Sequence, residues 1–270
     1  MRRKVLANFP YFCFQSSTDD LIYCMKKLVL FLILILLLTS SCKENKRAKF
    51  VIGVSQCSDD EWRKVQNLEM IQETAFYPHL QLKIKTVKDN SSKQIEDIRS
   101  FLKQKVDLLV ISPNEAQSLT PVVEEIYKSG IPVILIDRKV ASNNYTAFVG
   151  ADNREVGKNA GIYIAQSMRN GANILEIRGL KGSTSDAERH EGFIKEISRH
   201  PGLRIVGEYH TEWYKKDAEK IMRQIESKPH PRIDVIFAMS DRMALGVYDA
   251  VKEQPEMPVI VGIDALPGKG

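Results

Sequence analysis

The stretch 107–138, DLLVISPNEAQSLTPVVEEIYKSGIPVILIDR, holds one complete structural unit. Asp107–Ser112 and Pro132–Asp137 are short apolar runs, and between them Leu119, Val122, Val123 and Ile126 recur at three- and four-residue spacing. This predicts a buried strand, an amphipathic helix over Ala116–Ser129 and a second buried strand. Gly130-Ile131-Pro132 marks the helix stop, because glycine takes the left-handed turn after a helix and proline cannot continue it. An apolar run without alternation needs both sheet faces covered, so the unit points to a parallel sheet.

Working outward, the same alternation fills the chain from Phe50. Further strands are expected at Phe50–Ser55, Leu80–Val87, Thr146–Val149, Ala172–Arg178, Leu203–His210, Asp234–Ala238 and Pro258–Ile263. A helix is expected at Ser92–Gln104, where Ile95, Ile98, Phe101 and Leu102 share a face, and the pattern restarts after Gly150 with a helix at Asn153–Met168. The predicted fold class is α/β, with two doubly wound parallel-sheet lobes spanning 50–151 and 152–270. The last strand is followed only by 264–270, which leaves the second lobe incomplete, without its covering helix, and the sequence is expected to be truncated at its C-terminus.

The composition is globular, with 43% hydrophobic and 27% charged residues, and excludes a disordered or collagen-like chain. The 39 Lys and Arg exceed the 34 Asp and Glu, but five of the former and two of the latter lie in the first 42 residues, leaving 34 against 32 beyond. No patch concentrates enough charge to grip a phosphate backbone, so nucleic acid is not an expected partner.

Met25-Lys26-Lys27 precedes eleven apolar residues, Leu28–Leu38, and then Thr39-Ser40-Ser41-Cys42. The run is shorter than the roughly 20 residues a spanning helix needs, and 25–42 reads as a signal peptide for export. Cys42 after small residues resembles a lipobox, in which the thiol would carry a lipid anchor. Residues 1–24, with Cys13 and Cys24, precede the better start at Met25 and read as a mis-assigned leader. Only Cys57 and Cys42 can remain after processing, which leaves no internal disulfide framework.

In open parallel sheets a ligand lies beyond the carboxyl ends of the strands. The residues there are consistently polar: Ser55-Gln56 with Ser58 and Asp59, then Ser112-Pro113-Asn114, Asp137-Arg138, Ser240-Asp241 and Asp264. Adjacent Asp137 and Arg138 suit vicinal hydroxyls, one accepting and the other donating in a planar fork, or else form a surface ion pair. Trp62 and Trp213 each follow a strand in a polar stretch. Either could stack on the C–H face of a sugar ring or serve as a core or edge residue.

Chemistry has little foothold by comparison. The sequence has no G-x-x-x-x-G-K-[ST], H-E-x-x-H or C-x-x-C motif, and His79, His190, His200, His210 and His230 show no pair at ligand spacing along a helix. No catalytic residue, cofactor or metal is expected, and an enzyme or an intracellular repressor is the weaker reading.

Ala238-Met239-Ser240-Asp241-Arg242-Met243-Ala244-Leu245-Gly246, Ile136-Asp137-Arg138, Gly182–Phe193 and Val261-Gly262-Ile263-Asp264 together resemble the type I periplasmic sugar-binding proteins of the ribose-binding-like group. The opening, Gly53 to Arg63, resembles the version in periplasmic sensor domains of hybrid two-component regulators. The resemblance implies a non-catalytic domain that closes two lobes around a small sugar. It makes Asp59 and Trp62 the polar and stacking residues of the first loop, Asp137 and Arg138 a hydroxyl clamp, and Trp213 the opposing aromatic. Ser240 stands where the family has asparagine, and Asp264 where it has a ligand-binding aspartate. Ala187 replaces a second-lobe arginine, with Arg189 two residues on. Ser58, Asn114 and Arg189 complete the candidate set. The implied partner is either a histidine kinase module beyond a downstream membrane helix or the permease of an ABC importer. The small apolar face of Asn159-Ala160-Gly161 and Ile164-Ala165 suits packing on the second sheet or a homodimer contact.

Overall fold

The computed structural model describes Tyr23, residues 25–31 and residues 49–265. The chain divides into two units, 1–48 and 49–270. In the first, residues 25–31 are helical; the rest of the expected signal peptide, including Cys42, and nearly all of the leader lie outside the described residues. No helix among the described residues is long and apolar enough to cross a membrane.

The second unit opens with β1 (Phe50–Gln56), α1 (Glu61–Ala75), β2 (Leu80–Thr86), α2 (Ser91–Lys103), β3 (Leu108–Ile111), α3 (Ala116–Lys128), β4 (Val133–Ile136) and β5 (Ala147–Val149). These strands form one parallel sheet in the order β2-β1-β3-β4-β5. The chain continues with α4 (Asn153–Ser167), β6 (Ala172–Arg178), α5 (Thr184–Ile197), β7 (Leu203–His210), α6 (Lys215–Glu226), β8 (Val235–Ala238), α7 (Asp241–Val251) and β9 (Val259–Val261). The second sheet, also parallel, runs β7-β6-β8-β9. The α/β class with parallel sheets is therefore as the sequence implies.

Each sheet carries its own core. Ile98 and Phe101 of α2 and Leu119, Val122, Val123 and Ile126 of α3 close over Leu109, Ile111, Val133 and Leu135 in the first. In the second, Ile164, Phe193, Met222 and Val247 from four helices close over Ile174, Leu175, Ile177, Val235, Ile236 and Phe237. Burial at about 25 cal/mol per Å² of apolar surface makes these contacts the main stabilising contribution. Helix stops fall where expected: Gly130 follows α3 with φ of 87°.

The face of α4 that could have met a second copy is used internally. Ala160 and Ile164 are buried in the second core, and a Cβ on Gly161 would lie 2.9 Å from Glu196 of α5. The small residues there serve close helix packing within the lobe, which removes that basis for a homodimer.

Both sheets reverse strand order next to their first strand, between β1 and β3 and between β6 and β8. The two carboxyl-end crevices face one another. The lobes also meet directly. The Ala116 amide donates to the Gly182 carbonyl at 3.0 Å and the Lys139 amide to Thr184 Oγ1 at 2.8 Å. The Tyr214 hydroxyl donates to Asp89, and Arg242 pairs with Asp60 at 3.5 Å.

Candidate functional site

A cavity of about 300 Å³ lies between the crevices, lined from the first lobe by Asp60, Trp62, Arg63, Gln66, Asp137 and Arg138 and from the second by Ser185, Arg189, Trp213, Ser240, Arg242 and Asp264. The volume is at the lower end of small-molecule sites.

Asp137, directly after β4, sits at the centre of the first-lobe half. Its backbone is left-handed, with φ of 62°, a conformation disfavoured for a residue with a Cβ. Arg63, buried in the first turn of α1, donates to the Asp137 carboxylate, and Arg138 Nε stands 3.7 Å from it. Burial alone would raise the Asp137 pKa, but Arg63, Arg138 and Arg189 together hold it below the ordinary carboxylate range. Burial alone would lower Arg63, but Cys57, Asp137 and Asp60 hold it above its ordinary value. Arg138 is fixed from behind, since Nη1 donates to the Asn114 carbonyl at 3.2 Å, and Asn114 is in turn held by Gln94 at 3.0 Å. Its Nε is buried without a hydrogen-bond partner.

Asp60 caps α1 by accepting from the Arg63 amide at 2.9 Å, and Ser58 donates to its other oxygen at 2.7 Å. Side-chain capping of the first turn is what aims Arg63 and Trp62 into the cavity.

The second-lobe half is built differently. Arg189 of α5 donates to Asn153 Oδ1 at 2.8 Å and to the Met239 carbonyl at 2.5 Å, and lies 3.6 Å from Asp264. Trp213 is buried, with φ of 69°, against Gly179, where a Cβ would fall 2.0 Å from the indole ring. The Arg138 and Arg189 guanidinium carbons lie 5.5 and 5.7 Å from that ring's centre, and the indole N–H has no hydrogen-bond partner. Ser240 caps α7, its Oγ accepting from the Met243 amide at 3.3 Å. Asp264, with φ of 102°, is pushed up to about 6, by burial first and then by Asp241, Asp137 and Asp60, against the opposite pull of Arg189.

Of the candidates read from the sequence, Trp62, Asp137, Arg138, Arg189, Trp213, Ser240 and Asp264 line the cavity. Three do not. Asp59 turns outward to Lys88 at 3.6 Å, Ser58 lies under Asp60, and Asn114 lies behind Arg138. The sequence reading passed over Asp60, Arg63, Ser185 and Arg242. All sit in caps or first turns of helices that follow strands, where one turn of helix carries a side chain from the loop into the crevice; that position was the available signal.

Three of the six non-glycine residues with positive φ among the described residues, Asp137, Trp213 and Asp264, line this one cavity. Unfavourable backbone of this kind persists where its surroundings over-determine it, and it gathers at ligand sites.

Residues 53–269 match the periplasmic binding protein domain family. The ribose import binding protein of Bacillus subtilis is 28% identical over 220 residues, covering 82% of this chain and 71% of that protein. Its Escherichia coli counterpart is 27% identical over 180 residues, 66% of this chain and 60% of that protein. Among solved structures, the fructose-binding periplasmic domain of a hybrid two-component system is 47% identical with a TM-score of 0.79, covering 82% of this chain and 74% of that one. A solute-binding protein from Bacillus halodurans with bound myo-inositol is 27% identical with a TM-score of 0.78, covering 83% and 79%. With parallel sheets in two lobes, a polar cavity at their facing carboxyl ends and a family match over most of its length, this chain belongs to the periplasmic binding protein domain family.

Proposed function

We propose that this domain binds a monosaccharide between its lobes, outside the cytoplasm, as the sensing part of a membrane-bound two-component histidine kinase. The observation that carries the reading is the cavity itself, where carboxylates and guanidiniums alternate around a buried indole. Each kind of group has a use toward a sugar. Carboxylates accept from hydroxyls, guanidiniums donate to ring and hydroxyl oxygens, and the aromatic face takes the C–H side. Asp137, Arg138, Arg189 and Asp264 form the hydroxyl-binding set, Trp62 and Trp213 the apolar walls, and Ser240 offers its remaining O–H.

The output is closure. A ligand touching both lobes stabilises the closed arrangement by its differential affinity for it, and no bond of the ligand is made or broken. The sensor role is supported by the 47% identity to a sensor domain, and fructose is the first ligand to test on that account. A second reading, delivery to an ABC importer by a lipid-anchored protein, is supported by the curated import relatives and by Cys42.

Titrating the protein with fructose, ribose and myo-inositol while following tryptophan emission tests the proposal. A saturable change with one of them, matched by calorimetric heat, is expected. Silence by both readouts across these and other neutral sugars would overturn it.

A further inference from the structure

On the α4/α5 side of the second sheet, away from the cavity lining, Glu176 of β6 and Glu208 of β7 occupy paired positions on neighbouring parallel strands. Two carboxylates side by side repel, so a cation between them is favoured. His190 of α5 sits beside both. Its Nδ1 lies 2.8 Å from Glu176 Oε2 and its Nε2 3.9 Å from Glu208 Oε2. The Glu176 side chain is fully buried, and its second oxygen, Oε1, has no hydrogen-bond partner. One donor atom from each of the three residues lies within 4.8 Å of the others.

We propose that Glu176, His190 and Glu208 form a divalent transition-metal site, of the zinc class, that staples α5 to the second sheet. Zinc accepts both imidazole nitrogen and carboxylate oxygen, so one of the former with two of the latter can hold it and leave a fourth position for water. Tetrahedral zinc at bond lengths near 2.0–2.1 Å sets ligand atoms roughly 3.3 Å apart; Nδ1 and Glu176 stand at 2.8 Å, and the half-exposed Glu208 side chain, which faces Nε2, swings toward Nδ1 to complete the set. On binding, the metal replaces the proton shared by His190 and Glu176, and that proton is released to solvent.

Arg178 is the one other cation at the cluster among the described residues. Its Nη1 lies 3.3 Å from Glu208, while Nε and Nη2 hold Asp186 at 3.3 and 3.0 Å. It can therefore cede Glu208 to a metal and keep Asp186. The sequence hides the site because its ligands come from two strands and a helix, so no two share a helical repeat.

The site bears on the cavity through α5. Arg189 directly precedes His190 and reaches into the cavity. A metal at His190 would fix the helix that carries Arg189.

The test uses the full chain, first stripped with chelator. Cobalt(II) is added as a spectroscopic probe, and zinc is titrated in competition with a chromophoric chelator. A four-coordinate cobalt spectrum at one equivalent is expected, with displacement by zinc. Glu208→Gln removes a half-exposed ligand without uncovering a buried charge, and is expected to weaken zinc about tenfold or more while leaving the thermal transition of the metal-free protein in place. His200→Ala and His230→Ala are expected to change nothing. The proposal is overturned if no four-coordinate cobalt spectrum forms, if Glu208→Gln binds zinc as tightly as the parent, or if the loss follows His200 or His230 instead.

Discussion

The two halves of the cavity reach similar polarity by different means. In the first lobe the arrangement is set by charge: Asp137 is held by Arg63 and Arg138, and Arg138 is held by a backbone carbonyl. In the second lobe it is set by how closely two helices approach. A Cβ on Gly157 of α4 would fall 1.9 Å from the Arg189 carbonyl oxygen, and one on Gly192 of α5 would fall 2.0 Å from the Arg154 carbonyl oxygen. Each helix presses its glycine on the other's backbone, and Arg189 rides on that contact. The difference teaches that one half should fail through electrostatics and the other through packing.

The contrast breaks most sharply at Gly157→Ala. The new methyl meets backbone that no side-chain rotation can clear, so we expect a loss of about 3 kcal/mol in denaturant unfolding and loss of sugar binding as Arg189 is displaced. Survival of both properties would show that the helix contact does not set the second half. Asp137→Asn acts on the other half. It leaves Arg63 buried without its counter-charge, and we expect at least about 100-fold weaker sugar binding by calorimetry.

A smaller effect separates the two aspartates by pH. Asp264 is raised to about 6, whereas Asp137 is held below its ordinary range. If ionised Asp264 accepts from the ligand, affinity should fall about tenfold between pH 7 and 5 while Asp137 stays charged. The stability contribution of Asp264 has the opposite sign. Its raised value makes the folded state bind more protons than the unfolded one between about pH 6 and 4, so this group favours folding as pH falls through that window. The Asp137 contribution is present above its unfolded value and lost only as pH drops through its depressed folded value. Affinity that falls while the unliganded protein holds its stability would distinguish site titration from unfolding.

Much of this was legible in sequence because a parallel sheet with helical crossovers has few degrees of freedom. Apolar runs give strands, the residue after each run falls at the sheet's mouth, and Asp137, Ser240 and Asp264 were found by that rule, whereas Trp213 stood out as one of two tryptophans in polar stretches. Arg63 was not, because a charged residue on an amphipathic helix looks solvent-facing until its partner 74 positions away is known. Asp59 and Asp60 are adjacent acids in one loop, and sequence cannot tell which one caps the helix and faces inward. The cap geometry chose Asp60 and left Asp59 to a surface lysine.

The direct bridges between the lobes have a kinetic consequence. Hydrogen bonds from Ala116 to Gly182, from Lys139 to Thr184 and from Tyr214 to Asp89 join the rims through the chain itself. A sugar entering between them must wait for these bonds to part, so the observed association rate rises with concentration only until it meets the opening rate and then levels off. The speed at which such a domain reports a change in its surroundings is then set by the chain's own rim contacts rather than by how often sugar arrives.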